Sequence, residues 1–188
     1  MQAQLPSRRT EKKKTKTMAD FEHYIPLLFK MEGKLGKTTN HKNDKGGWTN
    51  AGVTLKTFRA FYGQDKTVDD LRAMTMEQWR HISKSYWDEC KGDKIANQSI
   101  AEIVVDWNYN SGIAGRKGTQ KALGLVVDGI FGPKTLAALN DGPQKCVFCK
   151  IKDAREKYFR ELVERDPSQA GNLDGWLNRL KRFSYDVR

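Results

Sequence analysis

The chain has 188 residues, 38% of them hydrophobic, which is enough to build one domain with a hydrophobic core. Three cysteines are too few for a disulfide scaffold, and no stretch approaches the length that crosses a membrane. The formal net charge of +11 is compatible with nucleic acid or another polyanion as partner and does not decide between them.

Residues 1–17 form a basic head that differs from the rest of the chain. They contain six lysines or arginines, one glutamate and almost no apolar residues, a composition typical of disordered segments. The head lacks the apolar core of a secretory signal, so we expect a protein made in the cytoplasm without a recognisable signal peptide. Met18 is a candidate start of the folded part.

The first predicted helix leads to Glu32. Apolar residues recur at the spacing of one buried helix face, and one more turn of that face arrives at Glu32; they are Phe21, Tyr24, Ile25 and Leu28. Gly33 follows at once and is suited to end the helix. A carboxyl group on the apolar side of a helix end is costly unless it is paired or functional. We therefore interpret Glu32 as a functional residue.

A polar, glycine-rich loop follows Glu32 and contains Asp44. Residues 51–53 then predict a short strand or turn, and Thr54 is suited to cap a helix that starts at Leu55. In a polar cleft, Glu32 could protonate a leaving oxygen while Asp44 or Thr49 holds a water or stabilises positive charge. The pattern thus favours hydrolysis of a glycosidic bond.

These residues resemble a known family. The Glu-Gly pair that closes the first helix and the run Asp-x-Gly-Gly-x-Thr-Asn-x-Gly-Val-Thr at residues 44–54 are similar to the family 108 glycoside hydrolases, which are N-acetylmuramidases, some once called secretion activator proteins. The resemblance implies a lysozyme-like fold. It also implies catalytic roles for Glu32, Asp44 and Thr49, and substrate contacts from Trp48 and Asn50.

Further helices follow in the middle of the chain. We predict a short helix from Leu55, another turn or two near residues 67–74, and a helix from a capping box at Thr75 to about Cys90. A second capping box, Ser99 to Glu102, predicts the start of the most apolar helix, which we expect to be central.

Two polar residues lie four apart on that central helix. Asp106 and Asn110 share one face, where they either satisfy buried partners or line a cleft and bind substrate. The similar order of polar residues in the family's central helix adds to the second interpretation.

Residues 120–136 resemble a peptidoglycan-binding module. The segment includes an Asp128-Gly129 turn and Pro133 at a suitable first helical position. It either binds peptidoglycan or only completes the fold, and the sequence leaves both open.

The chain ends in two predicted helices, from about Gln144 to Glu164 and from about Leu173 to Tyr185. Cys146 and Cys149 lie three apart on the first, where we interpret them as small packing residues. Because no further ligands show metal spacing, we predict no metal and no cofactor.

The fold class predicted is mainly α, a lysozyme-like helical domain with a small β-hairpin or loop region. We expect a disordered head at 1–17, a catalytic part at 18–95, and a helical part at 96–188 with the peptidoglycan-binding-like segment, packed as one domain with the first.

The predicted function is an N-acetylmuramidase that hydrolyses the β-1,4 glycosidic bonds of peptidoglycan, with Glu32 as general acid. The alternatives are a lytic transglycosylase, a non-catalytic peptidoglycan-binding protein, and a basic helical protein that binds nucleic acid. We expect peptidoglycan strands as partner, no specific nucleic acid, no membrane insertion, a monomer, and action on the cell wall in the periplasm after release.

Overall fold

The computed structural model describes residues 18–40 and 47–186. The basic head and Asp44 lie outside the described residues. The described part is mainly helical, which confirms the predicted fold class, and its helices are α1 (Phe21–Glu32), α2 (Leu55–Tyr62), α3 (Val68–Arg72), α4 (Met76–Glu89), α5 (Gln98–Ser111), α6 (Ile113–Ala122), α7 (Pro133–Asn140), α8 (Gln144–Arg165) and α9 (Ala170–Lys181). Short 3-10 helices lie at Gly92–Lys94 and Pro167–Gln169.

Helix α1 carries the buried face predicted from its spacing. Asp20 caps its start by accepting a hydrogen bond from the backbone N–H of Glu22. The four apolar residues of the predicted face are all buried, and the helix ends at Glu32 because Gly33 takes a positive φ of 88°. The helix end therefore holds Glu32 at the edge of the core.

A small antiparallel sheet follows α1, with strands β1 (Thr38–Thr39), β2 (Thr49–Asn50) and β3 (Val53–Thr54) in that order. Strands β2 and β3 pair through Asn50 and Val53, so Ala51 and Gly52 form a two-residue turn. Both turn residues have positive φ, as such tight hairpins require. The carbonyl oxygen of Ala51 accepts a hydrogen bond of 3.0 Å from Trp79 Nε1, which fixes the turn against α4.

Helix α5 is central, as predicted. It packs against α1, α4, α6 and α8, and its aliphatic residues and Trp107 are completely buried. Three buried tryptophans dominate the surrounding core: Trp79, Trp87 and Trp107. Because other helices cover much of α5, the buried polar residues on it, such as Asp106 and Asn108, must find partners inside the protein.

Two predicted helix boundaries are wrong. Helix α5 begins at Gln98, since Asn97 supplies the cap by accepting a hydrogen bond from the backbone N–H of Ile100. The hydroxyl of Ser99 instead accepts a hydrogen bond from the N–H of Asp186. Helix α9 starts earlier and ends earlier than expected, at Ala170–Lys181. The capping box at Thr75 is present as predicted.

The segment that resembles a peptidoglycan-binding module is organised by Gln120. Its side-chain amide donates to Asp128 Oδ1 at 2.7 Å and to the carbonyl oxygen of Ile130 at 3.0 Å, while its oxygen accepts from the N–H of Gly129 at 2.7 Å. Pro133 occupies the first turn of α7, as expected. Gln120 and Asp128 thus have structural roles.

Candidate active site

The carboxyl group of Glu32 lies at the end of α1 with only 9% of the side chain exposed. Its Oε1 atom is 2.6 Å from Nη2 of Arg179, a residue of α9. This is an ion-pair contact without a well-directed hydrogen bond, because Oε1 is buried with no aligned donor among the described residues. Glu32 is therefore held in place but only partly satisfied.

Arg179 connects Glu32 to the buried Asp106 of α5. Its Nη2 atom donates to Asp106 Oδ1 at 2.5 Å, and its Nε atom lies 3.1 and 3.0 Å from the two oxygens of the same carboxylate. Asp106 also accepts from Arg155 Nη2 at 2.7 Å and from the Tyr24 hydroxyl at 3.3 Å. Asp106 is thus surrounded by donors.

The two carboxyl groups have pKa values shifted in opposite directions. Burial raises the pKa of Glu32 above its ordinary value of 4.5, with Asp106 adding to the rise and Arg179 opposing it. Burial would also raise the pKa of Asp106, but Arg179 and Arg155 outweigh burial and lower it. Pairs of acids separated in this way are typical of active sites in which one acid donates a proton and the other stays charged.

The turn between β2 and β3 forms the other wall around Glu32. A β-carbon added at Gly52 would lie 2.0 Å from Glu32 Oε2 and 3.0 Å from the hydroxyl of Tyr109. Only glycine allows the backbone to come so close to the carboxyl group. The turn, α5 and α9 therefore define the position of Glu32 from several sides.

An open cleft of about 500 Å³ lies between the ends of α1 and α5 and the exposed side of α9. Glu32 does not itself line the cleft, but Arg179 forms part of its wall and contacts the Glu32 carboxyl group from the other side. The half-exposed ring of Trp176 offers an apolar face in the cleft, and Phe159 supports it by stacking at 5.1 Å. Its lining residues are Met31, Asn110, Gly175, Trp176, Asn178, Arg179 and Arg182.

Two of the residues expected to bind substrate are completely buried. Asn50 donates to the carbonyl oxygen of Leu71 at 2.7 Å, and Asp106 is paired with arginines. Neither has surface that a substrate could reach, so the expected direct contacts are corrected to structural and positioning roles. The sequence left open whether Asp106 lines a cleft or satisfies buried partners. The structure shows the second arrangement, with Arg179 of the neighbouring α9 donating to Asp106.

Three further predicted residues, Trp48, Thr49 and Asn110, are at least partly exposed. Asn110 lines the cleft and accepts a hydrogen bond from Arg155. Trp48 is 37% exposed. Thr49 is half-buried, with its hydroxyl 2.9 Å from that of Thr39 on the paired strand. The catalytic roles of Glu32, Asp44 and Thr49 and the contacts of Trp48 and Asn110 stay predictions.

Sequence analysis missed the contribution of α9. The helix predicted from about Leu173 to Tyr185 was given no functional residue, and neither Trp176 nor Arg179 was singled out. The available signal was an arginine placed within the apolar spacing of Trp176 and Leu180, where a charge requires a buried partner.

Within residues 18–40 and 47–186, no three His, Cys, Asp or Glu side chains are grouped so that they could hold a metal ion. In the same part of the chain no helix has both the length and the apolar character to cross a membrane.

Comparison with known proteins identifies the class. Residues 25–112 match the family described as glycosyl hydrolase 108, and residues 115–181 match a predicted peptidoglycan domain. A search of curated proteins found no match. Among solved structures, that of Brucella abortus SagA superimposes with a TM-score of 0.77 at 28% identity, over 89% of this chain and 97% of that one.

The described part is helical and holds a buried carboxyl group near an open cleft. Together with the two matched segments, this defines a glycoside hydrolase that acts on peptidoglycan. Residues 25–112 are a glycosyl hydrolase 108 segment and residues 115–181 a peptidoglycan domain that follows it, which confirms the predicted resemblance. The two segments meet at the turn between α5 and α6.

Proposed function

We propose that the protein is an N-acetylmuramidase that hydrolyses the β-1,4 bond of peptidoglycan glycan strands with Glu32 as general acid. The observation that carries this proposal is the position of the Glu32 carboxyl group, 9% exposed at a helix end beside the cleft. Its raised pKa keeps the proton available for the glycosidic oxygen over a wider pH range than an exposed glutamate allows.

The cleft suits a polar, anionic sugar polymer. Asn110 and Asn178 supply amide groups for hydroxyls, and Trp176 presents a ring face on which a sugar could pack. Arg182 adds positive charge at the same cleft, and the net charge of +11 attracts an anionic substrate.

We expect the second catalytic group to lie in the segment between Glu32 and Gly52. Asp106 is unsuitable for holding a water because it is buried and occupied by two arginines and a tyrosine. We therefore keep Thr49 and Asp44 in this role, with one of them positioning the water or stabilising positive charge on the sugar.

Replacement of these residues tests the assignment. Asp44→Asn and Thr49→Ala are each expected to lower turnover by about one order of magnitude or more, because each removes a group that positions water or stabilises charge. Thr39→Ala is the matched control, since it removes the other hydroxyl of the Thr39–Thr49 pair without touching Thr49. Equal losses of turnover in Thr39→Ala and Thr49→Ala would mean that Thr49 supports the structure of the sheet and does not position water or stabilise charge itself.

The reaction is tested by digesting purified peptidoglycan and identifying the products by mass spectrometry. The proposal expects fragments with a muramic acid at a free reducing end. Anhydro ends would show a lytic transglycosylase instead, and undigested strands that retain bound protein would show a binding protein. We also propose that the enzyme meets the wall after release from the cytoplasm, which fractionation of producing cells can test.

A further inference from the structure

Arg179 is shared unequally between two carboxyl groups. Asp106 receives its Nε and Nη2 hydrogen bonds, whereas Glu32 has one contact of 2.6 Å with Nη2 that lacks hydrogen-bond alignment. The Arg179 side chain is only 14% exposed, so few other orientations are open to it. The hydrogen bonds to Asp106 therefore fix the orientation of the Arg179 side chain, and Glu32 contacts the side chain in that orientation.

The charges of this cluster balance when Glu32 is ionised. Arg155 and Arg179 supply two positive charges, while Asp106 and ionised Glu32 supply two negative ones. Without Asp106, Arg179 would hold Glu32 as a carboxylate and make it a poor proton donor. With Asp106 in place, part of the positive charge of Arg179 is compensated, so Arg179 favours the Glu32 carboxylate less and Glu32 takes up a proton more easily.

We propose that Arg179 is the positioning residue of Glu32, and that Asp106 orients Arg179 and limits how strongly it favours the Glu32 carboxylate. This inference rests on the proposed role of Glu32 as general acid. Once Glu32 has given up its proton, the same contact stabilises the carboxylate that is formed, so the donor keeps its place through the reaction.

The C-terminal segment contributes two of the four charged residues in the cluster that contains Glu32. Glu32 and Asp106 lie in the part matched by the glycosyl hydrolase family, whereas Arg155 and Arg179 lie in the part matched by the peptidoglycan domain. The active site is therefore assembled from both segments. The second segment contributes to catalysis, whatever it also contributes to binding.

The remaining groups near Glu32 keep their charge state over the working pH range. Burial raises the pKa values of Tyr109 on α5 and Tyr24 on α1 well above the ordinary value, so both stay neutral. The turn contributes only the backbone of Gly52. Among the described residues, changes at Arg179 and Asp106 should thus act on Glu32 with opposite signs.

Arg179→Met removes a positive charge next to Glu32, so the pKa of Glu32 and the alkaline limb of the kcat/KM profile should move to higher pH. Loss of positioning should lower kcat by ~10²-fold, with a smaller change in KM. Arg179→Lys keeps the charge but not the planar fork, so kcat should fall while the limb stays near its original pH. Asp106→Asn should move the limb to lower pH.

Arg160→Met is the matched control, because it removes the same charge from an exposed site where Arg160 pairs only with Glu156 among the described residues. It should leave both kcat and the pH limb unchanged. Circular dichroism establishes that each variant is folded before its kinetics are compared.

The decisive experiment measures the titration of Glu32 directly, by NMR of protein with isotope-labelled glutamate carboxyl groups. The Glu32 signal is identified by its absence in Glu32→Gln. We expect its midpoint to rise in Arg179→Met and to fall in Asp106→Asn. An unchanged Glu32 midpoint together with an unchanged alkaline limb of the kcat/KM profile in folded Arg179→Met would overturn the inference. Unfolding of both Arg179→Met and Arg179→Lys would also overturn it, because Arg179 would then be required for the fold.

The titration also separates this inference from the proposed function. If Glu32→Gln remained active, the proposed function would fail, yet the shifts in the Glu32 midpoint would still report the coupling to Arg179. If Glu32→Gln were inactive and the midpoint did not respond to Arg179, the proposed function would stand and this inference would fail.

Discussion

Glu32→Gln is expected to lower turnover on peptidoglycan by at least ~10²-fold while the protein stays folded. Glutamine keeps the size and shape of the side chain, but it has no acidic proton for the leaving oxygen. Glu22→Gln is the matched control, because Glu22 lies on the same helix, is exposed and pairs with Arg80. A folded Glu32→Gln protein with normal turnover would refute the role of Glu32.

The stability of this variant follows from the direction of the pKa shift. The pKa of Glu32 is raised in the folded protein, so the proton favours folding. This contribution is full below the ordinary value of 4.5 and is lost as the pH rises through the folded pKa. At neutral pH the Glu32 carboxyl group therefore adds no net stability to the fold, and Glu32→Gln has none to remove. Arg179 also keeps its hydrogen bonds to Asp106 in this variant. Thermal unfolding should give an unchanged or slightly higher melting temperature.

Gly52→Ala is expected to lower turnover by about 10²-fold, although it lies outside the predicted catalytic set. The added β-carbon would lie 2.0 Å from Glu32 Oε2 and 2.6 Å from its Cδ. The clash is with the end of a flexible side chain, so the carboxyl group should move and the fold should stay intact. A displacement of about 1 Å at a catalytic group can cost this much activity.

The matched control for Gly52→Ala is Gly142→Ala. Gly142 has a φ of 75°, close to the 77° of Gly52, but a β-carbon there meets nothing within 4 Å. Both variants should lose about 1–2 kcal/mol of stability from the left-handed backbone. Only Gly52→Ala should lose activity. Equal activity in the two variants would show that Gly52 does not control the position of Glu32.

The sequence predicted those parts of the site that are local in the chain. The spacing of Phe21, Tyr24, Ile25 and Leu28 led along one face to Glu32, and the structure buries this face and ends the helix there. Glycine at 33 and threonine at 54 end and cap helices as their local chemistry requires.

The parts that were missed depend on contacts across the chain. Arg179 is far from Glu32 in sequence, and nothing local to α9 indicates which carboxyl group it meets. Asp106 had two interpretations, because its position on a helix does not tell which elements cover that face. The starting point of α5 was decided by Asn97, a strong cap that competes with the Ser99 box.

The proposed hydrolysis depends on the proton of Glu32, and labelling the products with heavy oxygen tests this dependence. Purified peptidoglycan is digested in heavy-oxygen water by the wild-type protein and by Glu32→Gln, and the new ends are analysed by mass spectrometry. We expect the wild-type protein to produce muramic acid reducing ends that carry the heavy oxygen, and Glu32→Gln to produce almost none. Anhydro ends without the label, or labelled ends formed equally well by folded Glu32→Gln, would contradict this expectation.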